Sequence, residues 1–497
     1  MQRLSPQDAS FLHLEDGVSH MHIGSVAILE GPPPEYEALI RMVRSHLARV
    51  PRYRQRVHFV PIALGRPVWV DDPHFNLRYH VRRTALAPPG GDEELRNLVS
   101  RVMSQQLDRG KPLWEMWVVE GLSEGRWAII NKIHHCMVDG VAGSELLTVM
   151  LDSEPDPELA APDDWHPERQ PMGVELAVQA LLQRAVSPYE QVRAVRSAAR
   201  SPGRLARTAA ETARGLWTMA GVVPPPPSSS LNGAIGPHRR WAWARAELSD
   251  VKQIRRALGG TINDVVLTAI AGGFRALLES RGESTERDVR TLVPVSVRSH
   301  EERGTYNNRV SAIFANLPVR TADPLERLAE MSKQMERLKR SGEAVAGDVL
   351  VGLSGFAPAM LLALGLRVAT RMPQRSVNTV TTNVPGPQQP LYAGGRRLLE
   401  CYPYVPIAGH VRIGVAIFSY DGGLTFGVTG DYDMAPDVAV LCEGIERSMR
   451  ELVAAAERTE RPKTPGRPTR SRAKPRARSN GRGDPSAVSA NLPPPPR

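Results

Sequence analysis

The chain has 497 residues, more than one hydrophobic core ordinarily organises, and this points to two domains of roughly 200 residues each. Hydrophobic residues at 41% and charged residues at 23% exclude a disordered or membrane-filling composition for the whole and match a soluble globular protein. Of the formal net charge of +10, eight charges lie from Thr459 onward, so the body is close to neutral and no nucleic-acid partner is indicated.

In chain order, the N-terminus carries Arg3, Asp8, Glu15 and Asp16 and has no long apolar run, which argues against a secretory signal and for a cytoplasmic location. Residues 1–155 mix strand and helix patterns, with strands expected over Met21 to Leu29 and Arg126 to Ile133. Proline and acidic residues then break the pattern. Residues 156–235 read as a helical crossover and Pro/Ser-rich linker: Val174, Val178, Leu181, Leu182 and Ala185 recur at helical spacing, and Pro224 to Pro227 with Ser228 to Ser230 end the run. A second mixed pattern fills 236–458, with strands expected over Thr291 to Val297 and Val411 to Ser419. Residues 459–497 are a basic tail of Pro, Arg, Ser and Gly that cannot bury enough apolar surface to fold. Val349 to Leu366 is 18 residues without a charge, at the lower limit for a membrane span; Asp348 and Arg367 leave no margin, so a buried helix pair is the preferred reading.

The chemistry concentrates in His134-His135-Cys136-Met137-Val138-Asp139-Gly140. On a continued strand, Trp127, Ile129, Asn131, Ile133 and His135 share one face and His134 points to the other. Adjacent histidines so disposed do not easily grip one ion, and Asp139 adds no usual zinc spacing, so no metal is expected. Cys136, Cys401 and Cys442 lack CxxC spacing and suggest neither a disulfide framework nor a zinc site. A neutral imidazole, with an ordinary pKa of about 6.5, can take a hydroxyl proton at neutral pH, which makes His135 a candidate general base; a satisfied core histidine is the alternative. Asp139, beside Gly140 where the chain turns into a helix bearing Leu146, Leu147, Met150 and Leu151, can fix the loop by pairing with an arginine.

Two further groups stand out. Thr261 and Asp264 form a near capping box at the start of an apolar helix, and the intervening Asn263 can instead hold an active-site loop. Thr381, Thr382 and Asn383 precede a Pro-Gly-Pro turn, where their donors either face a developing oxyanion or only serve the turn. No Gly-x-Ser-x-Gly segment or phosphate loop is present, which disfavours a serine hydrolase or a nucleotide hydrolase.

The His-His-x-x-x-Asp-Gly segment resembles the signature of the coenzyme A-dependent acyltransferase superfamily, which includes chloramphenicol acetyltransferase and the condensation domains of peptide synthetases. Pro112-Leu113-Trp114, Asn263-Asp264 and Asn383-Val384-Pro385-Gly386-Pro387 are similar to motifs of the bacterial wax ester synthase/diacylglycerol acyltransferase family. So are the opening Leu4 to Phe11 and Leu231 to Pro237, and the resemblance covers about Met1 to Arg458.

The resemblance implies an α/β fold of mixed (α+β) sheets, in two similar coenzyme A-dependent acyltransferase-like domains with a tunnel between them and His135 midway. It implies acyl-CoA as substrate, no cofactor, and direct attack by diacylglycerol or a long-chain fatty alcohol without an acyl-enzyme. It gives Asp139 a structural role, paired with Arg298, which otherwise reads as a surface arginine. Pro112 to Trp114, with Trp117, is expected to pack under the motif strand. Val349 to Leu366 can line an acyl pocket, where each buried CH₂ contributes about 0.8 kcal/mol. The basic helices of 172–223, helped by Arg470, Arg472, Lys474, Arg476 and Arg478, can rest on the inner membrane or a lipid droplet; a packed crossover and a solvated tail are the alternatives. Two competing functions share the fold: a condensation-type acyltransferase using carrier-protein thioesters, and a non-catalytic lipid-binding or droplet-associated protein.

Overall fold

Two six-stranded mixed sheets and one three-stranded sheet carry the chain in this computed structural model, which describes residues 2–61, 65–137, 150–158, 164–176, 178, 229–296, 310–340 and 377–460. The first half runs β1 (Gln2–Arg3), α1 (Pro6–Leu14), β2 (His22–Leu29), α2 (Tyr36–Leu47), β3 (Gln55–His58), β4 (Val68–Asp71), α3 (Leu77–His80), β5 (Val81–Ala85), α4 (Asp92–Met103), β6 (Trp114–Glu120) and β7 (Trp127–His134). Helix α1 starts where Ser5 caps it, accepting the Asp8 N–H at 3.1 Å, with Pro6 at the first helical position where its missing N–H costs nothing. Helix α4 places Leu95, Leu98, Val99 and Val102 on one stripe, and that stripe covers a face of the first sheet against Val26, Ile28, Ala128 and Ile130.

The second half contributes β8 (Arg239–Glu247), helices Leu248–Leu258 and Ile262–Ser280, β9 (Val289–Ser296), β10 (Val310–Leu317), helix Pro324–Arg340, β11 (Thr379–Pro385), β12 (Tyr392–Ala393), β13 (Arg396–Tyr404), β14 (Ile413–Tyr420), β15 (Gly423–Asp431) and helix Val438–Glu460. Its sheet has the order β10-β9-β11-β14-β15-β8, parallel only at β9/β11 and β11/β14. Phe274, Leu441, Ile445 and Leu452 from the helices pack with Ile413, Val415 and Ile417 in one apolar core. The bent pair Leu248–Leu258 and Ile262–Ser280 is apolar enough for a broken membrane span, but its apolar side chains lie in that core; no single helix among the described residues is long and apolar enough to cross a membrane.

Hydrogen bonding does not follow the expected division at residue 236. The first sheet has the order β12-β13-β2-β7-β6-β5, so two strands of the 236–458 segment complete the sheet of the first half. Strand β13 pairs antiparallel with β2, Tyr402 opposite Val26, and covers what would otherwise be an open edge. It also leans on β15: the Thr425 hydroxyl donates to the Cys401 carbonyl at 2.6 Å, and a Cβ at Gly427 would stand 1.7 Å from the Pro403 carbonyl oxygen, so only glycine permits that approach. Most of the expected crossover, the Val349 to Leu366 segment and the tail lie outside the described residues.

Candidate active site

Strand β7 stops at His134, and His135–Met137 form a 3-10 turn. His135 therefore does not continue the face of Trp127, Ile129, Asn131 and Ile133, contrary to the strand alternation expected from sequence. Three hydrogen bonds fix the break: the His134 N–H donates to the Leu113 carbonyl at 2.9 Å, the His135 N–H to the Met21 carbonyl at 2.8 Å, and the Cys136 N–H to Nδ1 of His134 at 3.1 Å. The last bond curls the chain back onto its own side chain, which a strand cannot do.

His135 stays half-buried at this turn, and the ring of Phe11 from α1 stacks on it with centroids 3.9 Å apart and planes at 21°. Desolvation lowers the imidazole pKa to about 4; the residue's own backbone carbonyl opposes the shift and the neighbouring His134 adds to it. At neutral pH the ring is uncharged and ready to accept a proton.

His134 is fully buried, at 0% exposure. Because Nδ1 accepts the Cys136 N–H, the ring proton sits on Nε2, which stands 3.5 Å from Oε2 of Glu15. Across the β2/β7 pair, His22 lies opposite His134 and brings Nε2 to 3.3 Å from Oε1 of the same carboxylate. The Glu15 side chain is only 3% exposed, and Arg109 donates to its Oε2 from Nη2 at 2.7 Å and from Nε at 3.0 Å. Burial alone would raise the Glu15 pKa, but the contacts with His134 and His22 hold it far below the usual carboxylate range. Burial lowers His22 to about 3, so that ring is neutral. Sequence reasoning passed over Phe11, Glu15, His22 and Arg109 as functional residues; the available signal was the four-residue spacing of Phe11 and Glu15 within the opening segment.

The other expected residues fall into place unevenly. Trp114 pairs opposite Ile133, is buried, donates from Nε1 to the Tyr53 carbonyl at 2.8 Å and stacks on His80; it and Trp117, opposite Ile130, thus lie beside the motif strand in the same sheet rather than under it as expected. Asp264 is a helix cap: Oδ2 accepts the Thr261 N–H at 2.8 Å and the Asp264 N–H donates to the Thr261 hydroxyl at 3.2 Å. Asn263 and Asn383 come together, with Nδ2 of Asn383 donating to Oδ1 of Asn263 at 3.4 Å. Thr381 is buried and its hydroxyl accepts from that of Thr291 at 2.8 Å, whereas Thr382 and Asn383 keep partial exposure. A Cβ at Gly386 would meet the Ser419 carbonyl oxygen at 2.2 Å, which accounts for the glycine of the Pro-Gly-Pro turn. Val384, Phe418 and Tyr420 of the second half belong to the same apolar cluster as Cys136 and Met137 of the motif turn.

Asp139, Gly140 and Arg298, and with them the expected Asp139–Arg298 pair, lie outside the described residues. Among the described residues no group of three or more His, Cys, Asp or Glu is placed to hold a metal ion. A cleft lined by Asp92, Arg126, Trp243, Arg245 and Tyr402 contains none of the candidate residues.

The family model for the wax ester synthase/diacylglycerol acyltransferase catalytic domain matches residues 4–266, and that for the WS/DGAT C-terminal domain matches residues 306–453. A probable diacylglycerol O-acyltransferase (tgs1) of Mycobacterium tuberculosis is 40% identical over 461 residues, which span 92% of this chain and 97% of that relative. A solved wax ester synthase/diacylglycerol acyltransferase from Marinobacter aquaeolei is similar over 92% of this chain and 100% of its own, with TM-score 0.66 and 26% identity. The first condensation domain of the calcium-dependent antibiotic synthetase shares the fold, with TM-score 0.56 and 17% identity over 92% of this chain and 96% of that one. With its motif histidines at the end of β7 and both family domains matched, the chain belongs to the wax ester synthase/diacylglycerol acyltransferase family.

Proposed function

We propose that this chain transfers a long-chain fatty acyl group from acyl-CoA to the hydroxyl of diacylglycerol or of a long-chain alcohol, with His135 as general base. The observation that carries the reading is the motif imidazole of His135 at a half-buried turn at the end of β7, with Phe11 stacked on its ring; burial lowers its pKa to about 4, in keeping with an uncharged ring. The acceptor oxygen attacks the thioester carbonyl carbon as His135 takes its proton. The C–S bond then breaks, the imidazolium returns the proton to the departing sulfur, and an ester and free coenzyme A remain. No cofactor is needed beyond the acyl-CoA substrate.

Thr382 and Asn383 are the proposed donors to the oxyanion, since both keep partial exposure whereas Thr381 is buried. Asn263 holds Asn383 in place, Asp264 secures the helix behind it, and the Asp139–Arg298 pair with Gly140 keeps the loop after the turn. We place the reaction on the cytoplasmic side, at the inner membrane or a lipid droplet, because both acceptors partition out of water.

The test offers the purified chain palmitoyl-CoA with hexadecanol and diacylglycerol together and reads the products by mass spectrometry. The expected result is triacylglycerol, wax ester or both, with one coenzyme A released per ester. The shared fold of the condensation domain keeps one rival in view, and a strict requirement for a carrier-protein thioester would establish it. Lipid binding without any ester would instead mark a non-catalytic lipid-binding protein.

A further inference from the structure

Acyl transfer by His135 leaves the opening segment without a task, although two of its side chains reach the histidine pair. Phe11 lies in α1 and Glu15 directly follows it; the Glu15 N–H donates to the Phe11 carbonyl at 3.2 Å, so both side chains leave the helix on one side, a turn apart. Phe11 stacks on His135, while Glu15 faces Nε2 of His134 at 3.5 Å. Leu4, Ala9 and Leu12 are fully buried and dock this segment in the core. The contacts of Phe11 and Glu15 with the two rings are therefore additional to what holds the helix in place.

We propose that Phe11 and Glu15 are positioning residues for acyl transfer: Phe11 fixes the plane of the His135 ring, and Glu15, acting through His134, fixes the turn that carries it. The inference rests on His135 being the base. Arg109 anchors the Glu15 carboxylate and also donates to the Leu12 carbonyl at 3.0 Å, so the carboxylate cannot swing away from His134 without breaking that clamp. With Nε2–H turned to Glu15, Nδ1 of His134 is left as the acceptor for the Cys136 N–H, the bond that ends β7 and begins the turn. A flipped or re-protonated His134 would strand that N–H in the interior, where an unmade hydrogen bond is costly. Phe11 also covers one face of the His135 ring, in keeping with the low pKa of that imidazole. Among the described residues, the charged groups around the turn include Asp8 and Glu15 of the opening segment, Arg109 and Arg52, and the ring beside His135 is that of His134.

The experiment is steady-state kinetics of the full chain with palmitoyl-CoA and diacylglycerol from about pH 5 to 9. It compares the unaltered protein with Phe11→Leu, Phe11→Tyr, Glu15→Gln and His135→Ala, each checked for folding by circular dichroism and thermal melting. Phe11→Leu and Glu15→Gln are expected to lower kcat by about 10- to 100-fold, the scale of a catalytic group misplaced by about 1 Å. The KM for palmitoyl-CoA should stay within about threefold, and Phe11→Tyr should restore most of kcat. In Phe11→Leu the acid limb moves to higher pH, toward about 6.5, because a less shielded ring protonates more readily and a protonated ring is no base. Should Glu15→Gln fail to fold, the Phe11 pair decides. Folded Phe11→Leu with unchanged kcat and acid limb, beside inactive His135→Ala, overturns the positioning roles alone. Normal turnover by His135→Ala overturns the base and this inference with it.

Discussion

Strands β7 and β14 hold the same place in their sheets, each with three strands on one side and two on the other, yet they are built in opposite ways. All of Ile413–Tyr420 is buried, and its inward residues Ile413, Val415 and Ile417 pack in the apolar core of the second half. The end of β7 buries Lys132 and His134 as completely, and each has partners. Lys132 donates from Nζ to the Val102 carbonyl at 2.9 Å and to the Gln105 carbonyl, where α4 runs out of internal donors. Burial lowers its amine to about 8. A strand held by packing alone needs no such matching; a strand that delivers polar groups to a reaction does, because each unmatched one costs more than an apolar residue would gain.

That contrast can be broken at either strand. Ile417→Ala should cost about 2–5 kcal/mol in urea unfolding, as for other large-to-small changes in a packed core, with kcat per folded molecule unchanged. Loss of activity beyond the unfolded fraction would mean that packing at β14 also sets the position of Asn383, which lies opposite Ile417 on β11. Lys132→Met keeps the length of the side chain but leaves two carbonyls without their donor, and should cost about 1–3 kcal/mol by the same measurement. A gain in stability would show that packing carries β7 as well, since buried charges are sometimes replaced by apolar residues at a profit.

Local signals were legible in the sequence where the structure is local. The Thr261–Asp264 cap and the apolar runs of β7 and β14 follow from spacing and residue type. The exchange of β13 into the first sheet was hidden, because alternation reveals a strand but not which partner it chooses, and β2 and β13 are separated by most of the chain. The burial of Lys132 depends on α4 covering that face of the sheet, which strand alternation alone does not reveal. The turn at His135 depends on a side chain accepting from the backbone two residues on, a contact that strand periodicity cannot foresee. Phe11 and Glu15 were visible as helix neighbours, but the rings they meet lie more than a hundred residues away.

The measurement closest to the central claim is the turnover of His135→Ala with palmitoyl-CoA and diacylglycerol, on protein shown to be folded and to bind acyl-CoA. Loss of a general base predicts kcat lower by about 10²- to 10⁴-fold with binding retained. Ester formation at the rate of the unaltered chain would contradict it.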